Sequence, residues 1–441
     1  MDCYLCFQFS IFNFYSYKRY PKGINVIFIK KSNYIPMLIS ILSFTPITLI
    51  SYEQTGLPLS DLLIPIGFII YLLFFYTQYS LYISSIIFFS LLSILLSSLI
   101  FQQEIFYRNL FSLIFLIKPI FGFFIGYFFI NTKNNINIFF KTSNIVILAF
   151  FAVCLLNIIT VHNGIVRSDS YINGDFLGLP IFGTYGVNSL AAFYFICLFL
   201  SFFNFDFLNE FKSQKIICAL NIIIITFFIV SSLSRMAILG ALFAHLFFFL
   251  DRNQIYKSFS TLFFCILIVF LVNHFDFSSL SNFTEAKIDQ IKLGLENKDL
   301  NYISSGRVAL YYTALNEFFT NPFIGSYFGG YNSEISGFPE TQGLSPHNMY
   351  ITTFWKMGLI GGVVYFYFLY NAAKNSISND NLIIKKWLTR FIIINAFILF
   401  NLWDVLVIPN YAFIFFLLLG IFSKNHENHT TKKSDATRVF N

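Results

Sequence analysis

The feature that most constrains this chain is a series of apolar runs, each of about 18 residues or more, that recurs along nearly its whole length. At a rise of about 1.5 Å per residue, a helix made from such a run crosses the roughly 30 Å hydrocarbon layer of a bilayer. Only 11% of the 441 residues are charged, whereas soluble domains carry about 25% charged residues. The chain is therefore predicted to be an all-α, polytopic membrane protein.

About twelve membrane spans are predicted when the apolar runs are compared with the polar breaks between them. They lie near 34–51, 59–76, 80–101, 105–130, 143–161, 184–203, 214–230, 233–250, 257–274, 348–370, 384–401 and 404–422. Residues 1–23 are aromatic and lack a compact apolar core followed by a small-residue cleavage site, so they are not expected to form a signal peptide.

The positions of lysine and arginine predict the orientation, because positive residues resist translocation and remain in the cytoplasm. Eighteen of the 28 Lys and Arg residues lie at the two ends and in one alternating set of connections. Both termini are therefore expected in the cytoplasm, with a long loop on the opposite side. The predicted divisions are an N-terminal segment 1–33, spans 1–9 at 34–274, the loop 275–347, spans 10–12 at 348–422 and a tail 423–441.

Several classes of function are disfavoured by the sequence. The net charge of +7 comes from short connections between spans rather than from one amphipathic face, so no nucleic-acid partner is predicted. Cys3 and Cys6 form a lone half-site, and the other four cysteines lie in apolar segments, so all six are expected to be structural. No histidines or carboxylates have metal-ligand spacing, and neither a metal nor another cofactor is predicted.

The loop 275–347 is expected to contain helices and functional residues, because a structureless loop of this length is unusual. Ser304-Ser305-Gly306-Arg307 is typical of a helix start, and Asn321-Pro322 of a helix end. Apolar residues recur between them at helical spacing: Val308, Tyr311, Tyr312, Leu315, Phe318 and Phe319. We expect this apolar face to pack on the outer ends of the membrane helices.

Four polar residues are candidates for chemistry because they lie near the outer ends of spans, where charges can be hydrated or paired. They are Arg167, Arg235, Arg307 and His347. An arginine at a helix N-terminus adds a fork of donors to unpaired backbone N–H groups and attracts phosphate. The alternatives are a loop salt bridge for Arg307 and interfacial snorkelling for Arg235. His347 can accept a proton from a hydroxyl near neutral pH, or serve as a hydrogen-bonded junction residue.

Two lysines and a pair of glycines lie within predicted spans. Lys118 is expected to contact a lipid phosphate or to pair with a buried carboxylate. Lys356 is expected to reach the outer interface. Gly358 and Gly362 form a G-x-x-x-G pattern, which predicts close backbone contact between two membrane helices.

Together these segments resemble bacterial O-antigen ligases, which share a superfamily with O-antigen polymerases. His347-Asn348, then nine residues, then Gly358-x-x-Gly361 resembles the H-[NSQ]-x9-G-x-x-G signature of the ligases. The loop between spans nine and ten is also similar. Further segments that resemble the superfamily are Ser305-Gly306-Arg307, Asn321-Pro322-Phe323-Ile324-Gly325, Ser232-Leu233-Ser234-Arg235 and Gly186-Val187-Asn188-Ser189-Leu190-Ala191.

The resemblance implies a GT-C-like fold and metal-independent glycosyl transfer at the periplasmic face of the bacterial inner (cytoplasmic) membrane. The implied donor is an undecaprenyl-diphosphate-linked glycan. Carried onto matching positions, Arg235 and Arg307 would hold the diphosphate, and His347 would act as the base on the acceptor hydroxyl. The other implied substrate contacts are Arg167, Asn188 and Asn348.

The acceptor distinguishes two activities within the superfamily. A ligase uses lipid A-core, and a polymerase uses the sugar of another lipid-linked repeat unit. The nine-residue spacing favours a ligase, with a polymerase as the alternative. A polysaccharide flippase or transporter is a more distant alternative. Such a protein is expected to show repeat symmetry and a charged central cavity, whereas the candidate charges of this sequence are predicted mostly at the outer face.

Overall fold

A computed structural model describes the greater part of the chain. The described residues are 34–46, 48–52, 55–73, 78–101, 113, 116–130, 132–161, 175–176, 179–180, 187–232, 234–250, 292–297, 307–325, 346–378, 381–402 and 405–423. Most of these residues are helical, in agreement with the predicted fold class, and two short β-hairpins are added.

The helices are named in chain order. They are α1 (Tyr34–Phe44), α2 (Ile64–Leu73), α3 (Gln78–Phe101), α4 (Phe121–Phe129), α5 (Lys133–Val161), α6 (Val187–Phe207), α7 (Lys212–Ser231), α8 (Arg235–Leu250), α9 (Arg307–Thr320), α10 (Met349–Ile377), α11 (Leu382–Ile394) and α12 (Pro409–Ser423). Short 3-10 segments, Leu59–Leu63, Lys118–Ile120 and Val405–Val407, precede α2, α4 and α12. A π-helical stretch, Asn395–Leu399, and a final turn, Phe400–Leu402, continue α11.

Four of the described helices contain stretches long and apolar enough to cross a bilayer. They are Tyr79–Leu96, Lys133–Leu156, Leu190–Phe207 and Lys212–Val230. The structure also contains shorter apolar helices, among them α1 and much of α8 and α12. This composition supports a membrane protein built from helices. The predicted span 257–274 lies outside the described residues, and the number of twelve spans stays a prediction.

The first predicted span, 34–51, is wrong as a continuous helix. Helix α1 ends at Phe44, and Thr48–Tyr52 (β1) instead pairs antiparallel with Thr55–Pro58 (β2). Pro46 explains the break, because proline lacks the N–H that a helix needs and disfavours helical backbone in the residue before it. A second hairpin joins Asp175–Phe176 (β3) to Leu179–Pro180 (β4).

Helix α3 runs antiparallel to the part of α10 that follows a kink at Gly358. At one end the Ser93 hydroxyl donates to the Lys356 carbonyl at 2.9 Å. At the other end the Asn375 amide donates to the Tyr79 hydroxyl.

His347 lies two residues before α10, near the end of α11: Asn348 Nδ2 donates to the Asn401 carbonyl at 3.3 Å, and the Tyr350 hydroxyl donates to the Ala396 carbonyl at 2.8 Å. This region, where the start of α10 meets the end of α11, is called the His347 end below.

Helices α4 and α12 pack closely because glycines face backbone. A Cβ atom built on Gly122 would lie 2.8 Å from the carbonyl oxygen of Phe413, and one on Gly126 would lie 2.3 Å from that of Leu417. Contact distances this short require residues without side chains, as is common between membrane helices. From the first of these contacts to the second, the residue number increases by four in each helix, so α4 and α12 run parallel.

A buried ion pair joins the starts of α2 and α4. Lys118 Nζ lies 2.6 Å from Asp61 Oδ2, and both side chains are largely shielded from solvent. Of the two predicted partners for Lys118, the structure confirms a buried carboxylate. Ser60, beside Asp61, donates to Asn410 Oδ1 at 3.1 Å, which links the pair to the start of α12.

Candidate functional site

His347 has an unusual backbone conformation. Its φ is +54°, and it is the one non-glycine residue with positive φ in the part of the chain that the structure describes. Left-handed backbone costs an L-residue about 1–2 kcal/mol, although histidine tolerates it better than most residues. Strained residues of this kind cluster at functional sites. The conformation thus supports His347 as a candidate for function.

Asn348 holds the junction between His347 and α10. Its Oδ1 accepts hydrogen bonds from the backbone N–H groups of Tyr350 at 3.0 Å and Ile351 at 3.1 Å, which caps the helix. Its Nδ2 donates to the carbonyl of Asn401 at 3.3 Å. Asn348 is therefore a positioning residue for its neighbour, and its predicted contact with substrate stays a prediction.

Helix α9 runs parallel to the first part of α10. Three hydrogen bonds join residues 37 or 38 positions apart: Trp355 Nε1 to Glu317 Oε2 at 2.7 Å, Leu359 N to the Pro322 carbonyl at 2.8 Å, and Ile360 N to the Phe323 carbonyl at 3.2 Å. Each residue of α9 thus lies level with the residue 37 or 38 positions later, so Arg307 is level with a position two or three residues before His347, about 3–10 Å along the axis. Arg307 therefore lies at the His347 end.

The face of α9 that packs on α10 differs from the predicted one. The buried positions are Leu310, Thr313, Ala314 and Glu317, and the exposed apolar positions include Val308, Tyr312, Leu315 and Phe319. Leu310 and Ala314 pack with Trp355 and partly with Ile351. Helix α9 does pack on a helix of the bundle, as predicted, but the predicted face is wrong, and its position on the outer side stays a prediction.

Gly358 breaks α10 where the turn after α9 reaches it. Its φ is +67° and its ψ is −174°, so the next two N–H groups turn from the helix toward carbonyls of the turn. Gly325, which ends that turn, also has positive φ. The predicted helix–helix face at Gly358 and Gly362 is therefore wrong. Gly358 receives the loop, and Gly362 makes room for the ring of Phe354 from its own helix.

Arg235, the first residue of α8, is brought to the same end by the antiparallel packing of α8 on α11. Near one end of this contact, Arg390 donates to the carbonyl of Phe247 at 3.1 Å. Nearer the start of α8, a Cβ atom on Gly240 would lie 3.5 Å from Leu399. The chain just beyond Leu399 accepts the hydrogen bond from the cap of α10 described above. The first residues of α8 and α9 thus lie at the His347 end together.

The turn before α8 is held by its own serines. Ser232 is buried, its hydroxyl donates to the Ile229 carbonyl at 2.7 Å, and it accepts from the Ser234 N–H at 3.3 Å. The turn joins α7 to α8 in three residues and so sets the direction in which α8 begins. These hydrogen bonds give Ser232 of the predicted motif a structural role in the turn.

The structure describes few contacts of the other predicted site residues. Arg167 lies outside the described residues, and Asn188 is described only as the second residue of α6. Lys356 is buried rather than reaching the outer interface, which corrects its prediction. Within the described ranges, no three His, Cys, Asp or Glu side chains form a metal-binding group. Independence from metals stays a prediction.

A second described histidine offers a comparison with His347. His245 is fully buried inside α8, with Nδ1 2.8 Å from the Ala241 carbonyl and Nε2 3.2 Å from the Thr226 hydroxyl. Both ring nitrogens are therefore engaged within the helix bundle. His347 is only half-buried and lies outside the helices.

Residues 220–366 match a family model described as O-antigen ligase. The match includes α8, α9 and the first part of α10, the three helices whose first residues lie at the His347 end. This part of the chain is similar to the O-antigen ligase family. Its members are membrane glycosyltransferase-like enzymes, ligases or polymerases, and the predicted resemblance to this superfamily is confirmed. Comparison with curated proteins gives no significant match.

Sequence reasoning missed two contacts of this site. Glu317 and Trp355 are separated by the end of one helix and the start of another, and nothing in their local pattern indicates a hydrogen bond between them. The contact between Gly325 and Gly358 was also missed. A signal for it was present, because a glycine that ends an Asn-Pro turn and a glycine inside a span both allow positive φ.

Proposed function

We propose that the chain is an O-antigen ligase that transfers an undecaprenyl-diphosphate-linked polysaccharide to lipid A-core at the periplasmic face of the inner membrane. The observation that carries this proposal is the arrangement of the His347 end. Within the residues that match the O-antigen ligase family, two helices that begin with arginine start at the end of the bundle that carries a histidine with strained backbone. Membrane lipid surrounds the protein, and no nucleic acid or cofactor takes part.

The proposed chemistry needs one base and a cationic site for a leaving group. The acceptor hydroxyl oxygen attacks the anomeric carbon of the donor, and His347 accepts the hydroxyl proton. The bond between the anomeric carbon and the diphosphate oxygen breaks, and undecaprenyl diphosphate leaves. Arg235 and Arg307 neutralise the charge that develops on this group, which lowers the barrier. Arg167, Asn188 and Asn348 are proposed as further substrate contacts.

The proposed orientation places both termini in the cytoplasm and the segment 275–347 in the periplasm, between spans 1–9 and spans 10–12. It is supported by the asymmetry of lysine and arginine in the connections. Cysteines substituted into 275–347 are expected to react with impermeant maleimide added to intact spheroplasts. Labelling only after the membrane is permeabilised would reject the periplasmic enzyme.

Deletion of the gene followed by lipopolysaccharide electrophoresis tests the proposed activity. Loss of all O-antigen from the core, with accumulation of lipid-linked polymer, is the result expected for a ligase. A core that carries one repeat unit would identify a polymerase and overturn the proposed acceptor. An unchanged lipopolysaccharide profile would reject both activities.

Point variants that keep the backbone conformation at position 347 test the role of His347 as the base. His347→Asn and His347→Gly both tolerate positive φ, so they remove the base without the added strain of alanine. Both are expected to insert normally and to lose transfer by about 100-fold or more, the size of a general-base contribution. Full transfer by either variant would exclude His347 as the base.

Arginine variants test the cationic site. Arg307→Ala is expected to abolish transfer, and Arg307→Lys to retain part of it, because lysine keeps the charge but loses the fork of donors. Lys292→Ala is the matched control, since Lys292 is an exposed basic residue of the same segment. Equal losses in the Arg307 and Lys292 variants would mean that general charge, and not this position, is needed.

A further inference from the structure

The side of α9 turned away from α10 is an exposed apolar stripe. It consists of Val308, Tyr312, Leu315 and Phe319, whose spacings of four, three and four residues keep them on one helix face. Their exposed fractions range from 41% to 70%. A soluble surface rarely presents so many large apolar side chains together. The stripe therefore needs a covering partner.

The stripe continues into an exposed apolar face of α10, the helix that the sequence predicts as the tenth span. Phe323, in the turn after α9, is 62% exposed, and its carbonyl accepts the N–H of Ile360. Leu359, Ile360 and Val363 of α10 are also exposed. An exposed apolar face on a helix of an apolar bundle is expected to contact lipid. The apolar turn thus connects the stripe of α9 to the exposed apolar face of α10, for which lipid is the expected contact.

We propose that the apolar stripe of α9, together with Phe323, is seated in the lipid interface of the bilayer leaflet at the His347 end. An amphipathic helix that lies on a bilayer buries its apolar face among the upper acyl chains, and tyrosine is favoured at that depth. Helix α9 is therefore an interfacial helix rather than one surrounded by water. If the proposed function is correct, this seat holds Arg307 at the level of the phosphates of a lipid-linked donor.

Fluorescent labels on single cysteines test the proposed position of the stripe in the full-length protein reconstituted into vesicles. The six native cysteines are replaced, and an environment-sensitive label is placed at Leu315→Cys or Phe319→Cys. Asn316→Cys and Thr320→Cys are the matched controls, because both positions are exposed on the polar flank of the same helix. The four side chains lie away from the α10 contact, so their replacement leaves that packing intact.

Labels at 315 and 319 are expected to be quenched at least about twofold more than the controls by phospholipids that carry a nitroxide on the upper acyl chain. Aqueous iodide is expected to show the reverse order. Strong iodide quenching at all four sites would place the stripe in water and overturn the proposal. Protection from both quenchers would mean that a protein covers it, which also overturns the proposal. Because quenching needs no substrate, its outcome is independent of whether the chain is a ligase.

Discussion

Gly325 and Gly358 meet backbone against backbone. A Cβ atom on Gly325 would lie 2.5 Å from the nitrogen of Gly358, and one on Gly358 would lie 2.4 Å from the nitrogen of Gly325. Both residues have positive φ, +89° and +67°. This contact attaches the turn after α9 to the break in α10 and so fixes the start of α9 relative to His347.

Gly358→Ala is expected to release α9 from α10. Positive φ alone costs an alanine about 1–3 kcal/mol, and the steric overlap adds to this. Limited proteolysis should therefore cut the segment that contains α9 faster than in the unmodified protein. Leu359→Ala is the control, because it keeps both glycines and the N–H that bonds to Pro322. Equal proteolysis rates in all three proteins would contradict the proposed attachment.

Trp355→Phe is expected to weaken the attachment of α9 to α10 by a change in α10 itself. It removes the N–H that bonds to Glu317, a side chain that is only 1% exposed, and a buried acceptor left without its donor costs about 1–3 kcal/mol. The midpoint of thermal unfolding and the proteolysis of α9 report the effect. Trp387→Phe removes a similar bond to Asp206 elsewhere in the bundle. The Trp387→Phe variant should have a lower midpoint of thermal unfolding but no faster proteolysis of α9. Faster proteolysis of α9 in this control would show that the assay lacks site specificity.

Asn348→Ala should reduce transfer by moving His347. Loss of a helix cap costs about 0.5–2 kcal/mol, and the bond to Asn401 is lost with it. Asn348→Asp keeps the capping oxygen and should recover most of the lost stability. Asn381→Ala is the matched control, because Asn381 caps α11 through the N–H groups of Ile383 and Ile384. Transfer activity per folded molecule should fall in the Asn348→Ala variant only.

Breaking the Lys118–Asp61 pair should strongly destabilise the bundle. Removal of one partner leaves a buried charge uncompensated, at a cost of about 3–5 kcal/mol. Lys118→Met alone and Asp61→Asn alone are expected to lower the yield of folded protein in detergent. The double variant, which removes both charges, should recover much of it. A double variant no better than the single variants would mean that Lys118 or Asp61 acts through another contact.

Local sequence was sufficient to predict much of the secondary structure around the site. The starts of α8 at Arg235 and α9 at Arg307 agree with the predicted helix starts, and α9 ends at Thr320, just before Asn321-Pro322. Serines, an asparagine cap and a proline act on their immediate neighbours, so their effects can be predicted from adjacent residues alone. The partner of Lys118 was predicted by class only, because an unpaired charge among apolar side chains is too costly to persist.

Contacts between distant segments were decided by tertiary structure alone. The sequence determined that this protein is a bundle of apolar helices with polar residues at their ends, because burial of apolar residues and the backbone preferences of glycine and proline act locally. Which face of α9 is buried depends on its contacts with Trp355, 38 positions after Glu317. Whether Gly358 packs against a helix or receives a turn depends on where Gly325 lies. Only the folded chain brings Arg235 and Arg307 to the end that carries His347, because their relative positions depend on helix packing across long separations in sequence.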